Sequence, residues 1–426
     1  MADRTTTQEK GEDTAAPFRI DVKLHDVLMD APVEERSKLV PDGPALTLPE
    51  PVYPQRTFET ELDKTEYQRL NAKRVWHAWG KPYFASRSLK NRKELRPIIS
   101  YLFTEWKCNL SCHYCWAFDN RVKGMNEDVA RRSIDWLHST GNRVLALMGG
   151  EPLLRPQFIH KITDYATKKG FFVYVPTNGR LMRPEVIDRL GDAGVSVFNI
   201  AIDAIKDSTE LPKAFEPIKE NFEYCVKTQH KYGHTIAINT NICRNNMDDV
   251  KRLADLALDY NVSIDFHINE EPMIEQEHFN DRLDENTTFL RKQDWEKVDE
   301  LLDWIIDRHK GGQRIVNPLS HLQQMKDLMR GEVEPWACRA GHNMLIIRMD
   351  GTLAPCFPMY SATHDWGVVG DHKFDHEQLD EMKKECTKHC LSTCNYILGF
   401  CYNTQRVLWW ATKQAMRGFK GVSGSF

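Results

Sequence analysis

The sequence predicts an α/β protein in which a partial (β/α)6 TIM-like barrel is followed by a cysteine-rich C-terminal segment. The first reason is that apolar strand-like runs alternate with helical segments of about 10–15 residues, a pattern that builds parallel sheets. The second is that cysteines, glycines and polar residues recur where these strands end, which is where barrels of this kind place their chemistry. The third is that nine of the eleven cysteines fall into two groups.

Six strands and five intervening helices are predicted in order along the chain. The predicted strands are 98–106, 143–150, 171–179, 196–204, 235–243 and 263–269. The predicted helices between them are 125–140, 155–170, 183–194, 215–233 and 247–261. Asn126 is a suitable N-cap for the first of these helices, and Gly233 ends the fourth. Two more helices are expected near 293–309 and 318–330.

The predicted domain organisation has five parts. They are a disordered N-terminus (1–16), an N-terminal extension (17–97), the core barrel (98–270), a helical connection (271–335) and the cysteine-rich segment with a C-terminal helix (336–426). Within the extension, residues 58–80 are predicted to form a helix with charged and aromatic faces.

Composition excludes several classes of protein. The 426 residues are 41% hydrophobic and 28% charged with a formal net charge of −4, so no basic excess indicates a nucleic-acid partner. The sequence has no apolar run of the roughly 18–20 residues that span a bilayer, and its polar N-terminus lacks the apolar core of a signal peptide. We therefore expect a cytoplasmic protein, in which clustered thiols are metal ligands rather than disulfides.

The first cysteine group directly follows the first predicted strand. Cys108, Cys112 and Cys115 have C-x3-C-x2-C spacing, and short loops of this kind hold iron–sulfur clusters through their thiolates. Three cysteines leave one iron of a [4Fe-4S] cluster open to a cofactor or substrate. The alternatives are a ferredoxin-type loop and a structural zinc site with His113 as the fourth ligand.

This spacing resembles that of the radical S-adenosylmethionine (SAM) superfamily. The resemblance implies that the methionine part of SAM occupies the open iron and that one electron from the reduced cluster breaks the sulfonium bond. The products are methionine and a 5′-deoxyadenosyl radical that abstracts hydrogen from the substrate. The resemblance also implies an external one-electron reductant of the flavodoxin or ferredoxin type.

Motifs after the later strands extend the resemblance. Gly149, Gly150, Glu151 and Pro152 resemble the superfamily's GGEP motif, which implies contact with the methionyl amino group and an acidic role for Glu151. Further positions implied to bind the cofactor are Tyr114, Thr177, Asn178, Asp203, Asn241 and Arg244. The fourth strand departs from the superfamily, because Ala201-Ile-Asp-Ala replaces the usual Ser-x-Asp-Gly.

The second cysteine group resembles the SPASM and Twitch extensions of the superfamily, which hold auxiliary clusters. Its members are Cys338, Cys356, Cys386, Cys390, Cys394 and Cys401. Two fully cysteine-ligated clusters would need eight ligands, so these six favour one auxiliary [4Fe-4S] cluster on Cys338, Cys356 and two of the last four. The sequence leaves open which two, and a structural zinc site is the alternative.

Two features allow more than one interpretation. Cys243 ends the fifth strand and could donate a hydrogen atom to a product radical, or it could be a buried structural thiol. The amphipathic segment 407–421 is predicted to be a helix packed on the barrel, or else a contact with a membrane surface or an apolar substrate.

The sequence therefore predicts a radical SAM enzyme, an oxidoreductase acting on an unidentified small-molecule or lipid-like substrate. The alternatives are a peptide-modifying maturase and a non-catalytic iron–sulfur carrier. Relatives that oxidise peptides often have an acidic residue after the cysteine that corresponds to Cys356. Phe357 occupies that position here, so the sequence does not support an acid acting as the base of a peptide dehydrogenase. A carrier would not need the GGEP-like motif or Thr177-Asn178-Gly179, which resembles the superfamily's TNG motif.

Overall fold

The computed structural model describes residues 74–88, 94–115, 123–268, 288–360 and 364–403, and four single residues at 405, 408, 409 and 412. Residues 1–16, which are predicted to be disordered, lie outside the described residues. Most of the N-terminal extension and most of the C-terminal amphipathic segment also lie outside them. In the part of the chain that is described, no helix has both the length and the apolar character that crossing a membrane requires.

Eight strands form the main sheet. They are β1 (Ile99–Glu105), β2 (Val144–Gly149), β3 (Phe172–Thr177), β4 (Val197–Ala201), β5 (Thr235–Ile242), β6 (Ser263–Ile268), β7 (Met344–Ile347) and β8 (Leu353–Ala354). Their order is β6-β5-β4-β3-β2-β1-β7-β8, and only β8 is antiparallel to its neighbour. The predicted partial (β/α)6 barrel is thus confirmed in β1 to β6. A separate two-stranded ribbon consists of β9 (Gly367–Val368) and β10 (Asp371–His372).

Ten α-helices are described. They are α1 (Lys81–Ser86), α2 (Glu127–Ser139), α3 (Pro156–Lys168), α4 (Pro184–Asp192), α5 (Lys219–Tyr232), α6 (Met247–Asp259), α7 (Trp295–Lys310), α8 (Leu319–Arg330), α9 (His376–Cys386) and α10 (Thr393–Cys401). Helices α2 to α6 connect β1 to β6, as predicted. Asn126 caps α2 by accepting a hydrogen bond from Val129 N at 2.8 Å, and Gly233 ends α5 with a φ of 80°.

One edge of the barrel sheet is extended by the C-terminal segment. β7 pairs in parallel with β1, with Ile99 opposite Met344 and Leu102 opposite Ile347. The sequence prediction had six strands in this sheet and placed 344–347 in the cysteine-rich segment. Without β7, the outer edge of β1 would present unpaired N–H and C=O groups, and pairing with β7 satisfies them.

The other edge, at β6, is covered by residues 314–317. Ile264 N donates to Arg314 O at 3.0 Å, and Val316 N donates to Ile264 O at 2.9 Å. One step further along, the amide oxygen of Asn317 accepts from Phe266 N at 2.8 Å, and its Nδ2 donates to Phe266 O at 2.8 Å. Asn317 Nδ2 also lies 3.1 Å from Nδ1 of His321, whose Nε2 donates to Leu391 O at 2.9 Å. Burial lowers the pKa of His321 to about 3, which keeps the ring neutral in this chain of hydrogen bonds.

The N-terminal end of the barrel is closed by the helix that precedes β1. Ala78 packs against the first residues of three strands, Val144, Phe172 and Val197. This helix has a π-helical turn at Trp76–Gly80 and continues as α1. The prediction that the helix ends at residue 80 is therefore wrong. The physical reason is that the following proline lies in the first turn of α1, where its missing N–H costs no hydrogen bond.

Candidate active site

The residues singled out from the sequence gather at the C-terminal ends of the barrel strands. The cysteine loop follows β1, the GGEP-like turn follows β2, and Thr177 and Asn178 follow β3. Asp203 comes after β4, and Asn241 is the next-to-last residue of β5. Because the five strands are parallel, these segments share one end of the barrel.

The cysteine loop is joined to the segment after β3. Asn178 Nδ2 donates to Asn109 Oδ1 at 2.8 Å and lies 3.9 Å from Cys108 Sγ. The backbone N–H of Leu110 lies 3.4 Å from the same sulfur. These donors orient the loop and partly neutralise charge on the sulfur of Cys108.

The two glycines of the GGEP-like turn allow the close approach of two backbone segments. A Cβ atom at Gly149 would overlap the carbonyl oxygen of Glu105, and one at Gly150 would overlap that of Lys107. In their place, Gly150 N donates to Glu105 O at 2.9 Å, and Glu151 N donates to Lys107 O at 2.8 Å. The turn after β2 is therefore held directly against the start of the cysteine loop.

The Glu151 carboxylate points inward and is fully buried. Its Oε1 accepts from Leu153 N at 2.9 Å and from Thr177 Oγ1 at 2.8 Å, and its Oε2 accepts from Asn178 N at 2.8 Å. Burial raises the pKa of Glu151, although these three hydrogen bonds act in the opposite direction. The carboxylate thus ties together the turns after β2 and β3, and its role toward the cofactor stays a prediction.

Asp203 joins β4, β5 and the cysteine loop. Its Oδ2 accepts a hydrogen bond from the Tyr114 hydroxyl, and its Oδ1 accepts from Asn241 N at 2.8 Å. Asn246 Nδ2 donates to the backbone oxygens of Asp203 and Asn241, both at 2.8 Å. Tyr114, one of the positions predicted to bind the cofactor, is therefore oriented by Asp203 after β4.

Cys243 lies behind this network rather than on its surface. The thiol has no exposed area and accepts from Asn241 Nδ2 at 3.2 Å. Burial raises the pKa of Cys243 well above the ordinary thiol value. This placement favours the alternative of a structural thiol over that of a hydrogen-atom donor.

Arg244 is directed away from the other predicted residues. Its Nε lies 2.9 Å and 3.1 Å from the two carboxylate oxygens of Asp294, just before α7. The structure thus brings nine of the ten predicted cofactor-binding residues together at the strand ends and engages the tenth, Arg244, in an ion pair. Its contact with the cofactor carboxylate stays a prediction.

Lys213 lies beside the predicted site residues, although it was not singled out from the sequence. It lies after β4, with Nζ 5.1 Å from the centre of the Tyr114 ring. Burial by itself would lower the pKa of Lys213, but Cys112 and Asp203 raise it above its usual value. Lys213 therefore supplies a positive charge beside the cysteine loop. The fourth-strand region lacks the family's serine, and a lysine in the following loop was the feature to examine.

The cysteine loop fits an iron–sulfur cluster by the chemistry of its donors. Burial raises the pKa of Cys108, and it raises that of Cys112 to about 12, with the neighbouring thiols acting in the same direction. Such thiols ionise only beside a strong cation, which a cluster of irons supplies. Cys112 and Cys115 both act electrostatically on Cys108, so the three thiols are neighbours.

The six C-terminal cysteines are distributed over several elements. Cys386 lies close enough to Cys338 for its thiolate to help raise the pKa of Cys338, although burial is the larger cause, and Lys383 lies beside Cys338. Cys356 and Cys390 are buried. Cys394, at the start of α10, contacts the Tyr101 hydroxyl on the barrel wall instead. Cys394 therefore has a partner on β1, and Cys338 has a neighbour in Cys386.

Residues 107–257 match the family model described as the Radical SAM superfamily. The AdoMet-dependent heme synthase of Methanosarcina barkeri is 32% identical over 158 residues, which are 35% of this chain and 44% of that protein. The Fe-coproporphyrin III synthase of the same organism is 28% identical over 178 residues, 40% of this chain and 43% of that protein. The chain thus matches less than half the length of these curated relatives.

The fold extends beyond the region of sequence similarity. The crystal structure of Streptococcus suis SuiB bound to S-adenosylmethionine matches with a TM-score of 0.53 and 14% identity, covering 72% of this chain and 75% of that chain. The fold, the strand-end motifs and the family match agree. Residues 107–257 of this chain thus form a region similar to the Radical SAM superfamily.

Proposed function

We propose that this chain cleaves SAM reductively and uses the resulting radical to abstract hydrogen from a small-molecule substrate. The observation that carries the proposal is that hydrogen bonds join the cysteine loop to Asn178 and Glu151 on one side and to Asp203 and Asn241 on the other. When bound, the [4Fe-4S] cluster and SAM supply the electron transfer and the 5′-deoxyadenosyl radical. The electron comes from an external one-electron reductant.

The chain's own residues would hold and orient the cofactor. Cys108, Cys112 and Cys115 would ligate three irons. The backbone of Gly149 and Gly150, held close to the cysteine loop, would face the methionyl amino group. Tyr114, oriented by Asp203, would lie beside the adenine.

Lys213 would take over a role that the altered fourth strand lacks. Ala201 offers no side-chain hydrogen bond where the superfamily has serine. The Lys213 ammonium, beside Cys112 and Asp203, is a suitable partner for the carboxylate of the cofactor's methionine. The arrangement replaces a hydroxyl donor with a charged one.

One auxiliary [4Fe-4S] cluster in the C-terminal segment is part of the proposal. Cys338 and Cys356 would supply two ligands, as predicted. The proximity of Cys386 to Cys338 favours Cys386 as a third, and the contact of Cys394 with Tyr101 disfavours Cys394. The fourth ligand would then be Cys390 or Cys401.

The substrate class rests on two observations. The curated relatives named above are a heme synthase and a coproporphyrin synthase, and a GTP 3′,8-cyclase of Chlorobaculum tepidum is 27% identical over 167 residues. Their names describe small-molecule chemistry. In addition, the Phe357 ring packs at 4.8 Å from the Tyr101 ring, so the position where peptide-oxidising relatives often have an acid is apolar here.

The test uses protein reconstituted with iron and sulfide, reduced with dithionite and mixed with SAM. We expect 5′-deoxyadenosine, measured by liquid chromatography and mass spectrometry, and none without dithionite. Absence of 5′-deoxyadenosine from a fully loaded protein would support the iron–sulfur carrier. Deuterium transfer into 5′-deoxyadenosine from a labelled peptide, but not from labelled small molecules, would identify a peptide maturase.

A further inference from the structure

A polar group that the strand-end motifs do not include lies deeper on the barrel wall. Asn239 of β5 is paired with Asp265 of β6, and Asn241 is paired with His267 one step closer to the cofactor end. These side chains share one face of the sheet, because residues two apart on a strand point the same way. Phe266, between Asp265 and His267, is fully buried in the hydrophobic core.

This face lines the inside of the barrel. Asp265 contributes to raising the pKa values of Tyr101 and Tyr174, which lie on β1 and β3, although burial is the larger cause. The Tyr174 ring meets the edge of Trp79 at 6.4 Å, so the N-terminal helix closes the barrel below it. His267 acts electrostatically on Asp203 at the cofactor end. Asp265 and His267 therefore lie between the cofactor residues and the closed end.

The hydrogen bonds of this group are incomplete. His267 Nε2 lies 2.7 Å from Asp265 Oδ2, and Asn239 Nδ2 lies 3.3 Å from the same oxygen. The other carboxylate oxygen, Oδ1, is buried without a hydrogen-bond partner among the described residues, although Asp265 as a whole is only 6% exposed. An unpartnered buried carboxylate oxygen is unfavourable, so its retention indicates that something else supplies a donor.

His267 Nε2 is within hydrogen-bond distance of both neighbours, Asp265 Oδ2 at 2.7 Å and Asn239 Nδ2 at 2.6 Å. The His267 side chain is 24% exposed, so a molecule inside the barrel can reach it. Asp265 Oδ1 thus offers a carboxylate acceptor, with the accessible His267 ring beside it.

We propose that Asp265 and His267 bind the substrate of the proposed radical SAM reaction through a nitrogen group with N–H donors, such as an amine, amidine or guanidine. This inference rests on the proposed function. A carboxylate or phosphate at this position would be repelled by Asp265 and would leave Oδ1 without a donor. The pair would fix the substrate below the cofactor by one polar group and leave its C–H bonds facing upward.

Methylguanidinium and acetate are suitable probes, since each has one methyl group and they carry opposite charges. Saturation-transfer NMR on the SAM-bound holoprotein should show the methyl signal of methylguanidinium and not that of acetate. Asp265→Asn should weaken methylguanidinium binding by at least about tenfold, the loss expected for a charged hydrogen bond. Ser263→Ala, on the same face of β6, is the matched control and should leave binding unchanged. Equal methylguanidinium signals in the wild type and Asp265→Asn, or no signal in the wild type, would overturn the proposal.

Thermal unfolding separates binding from a structural role. Asp265→Asn should raise the Tm by about 2 °C, because it removes a buried charge with an unpartnered oxygen. A lower Tm would show that the carboxylate holds the fold and would overturn the proposal. Formation of 5′-deoxyadenosine by the same wild-type preparation tests the proposed function separately.

Discussion

The two cysteine groups differ in what surrounds them. The loop from Cys108 to Cys115 is one short segment, and hydrogen bonds join it to Asn178 after β3 and to Asp203 after β4. The C-terminal cysteines come from several segments, and Cys394 contacts the barrel wall while Cys338 neighbours Cys386. Local spacing is therefore a good guide to ligands on one loop and a poor guide to ligands that the tertiary fold must assemble.

The largest effect is expected at the first group. Cys112→Ala should abolish 5′-deoxyadenosine formation, because the two remaining thiolates cannot hold a cluster with one iron presented to the cofactor. Cys225→Ala is the matched control, since this cysteine is buried in α5 beside His234, and cleavage should persist. Cleavage near the wild-type rate in Cys112→Ala would contradict the assignment.

Iron content compares the two groups directly. We expect about eight irons per chain after anaerobic reconstitution, and about four after replacing Cys108, Cys112 and Cys115 together. Cys338→Ser should also leave about four irons, whereas Cys394→Ser should retain about eight because Cys394 contacts Tyr101. Iron and zinc analysis checks this. One zinc and no iron in the triple variant would show a structural zinc site instead.

A smaller effect is expected from the charge beside the first group. Lys213→Met should weaken SAM binding by about tenfold, or about 1.4 kcal/mol, with iron content retained. The reason is that the ammonium lies beside Cys112 and Asp203, where a carboxylate of the cofactor can meet it. Lys206→Met alters an exposed lysine of the same loop and serves as the control. Unchanged affinity in the Lys213 variant would place the lysine outside the cofactor site.

The last prediction concerns the attachment of the C-terminal segment to the barrel. The pKa of His321 is about 3 in the folded protein against 6.5 for a free side chain, so the unfolded state binds more protons between these values. Stability should fall as the pH falls below 6.5, by up to about 1.4 kcal/mol per pH unit from this ring. His321→Gln should make that slope shallower in urea unfolding, and His389→Gln, at an exposed ring, should not. Equal slopes in the wild type and His321→Gln would argue against a neutral buried ring.

Local sequence patterns were sufficient to predict the barrel and the end of the barrel at which the candidate site lies. Strands β1 to β6 and helices α2 to α6 agree with the predicted segments, because apolar periodicity and signals such as the Asn126 cap are local. The site's location follows from the same reasoning, since parallel strands place all their C-terminal ends together. Residues that follow those strands, such as Cys108 and Asn178, were therefore found without knowledge of the fold.

Contacts between segments that are distant in the chain could not be predicted from local patterns and became known only from the tertiary structure. β7 pairs with β1 across more than 240 positions, and residues 314–317 cover β6, because each sheet edge needed partners that no local pattern specifies. The Glu151 carboxylate is buried where Thr177 and Asn178, at the end of β3, donate hydrogen bonds to it. Lys213 and Asp265 gain their chemical character from burial beside groups far away in the chain, and burial of that kind is a property of the assembled fold.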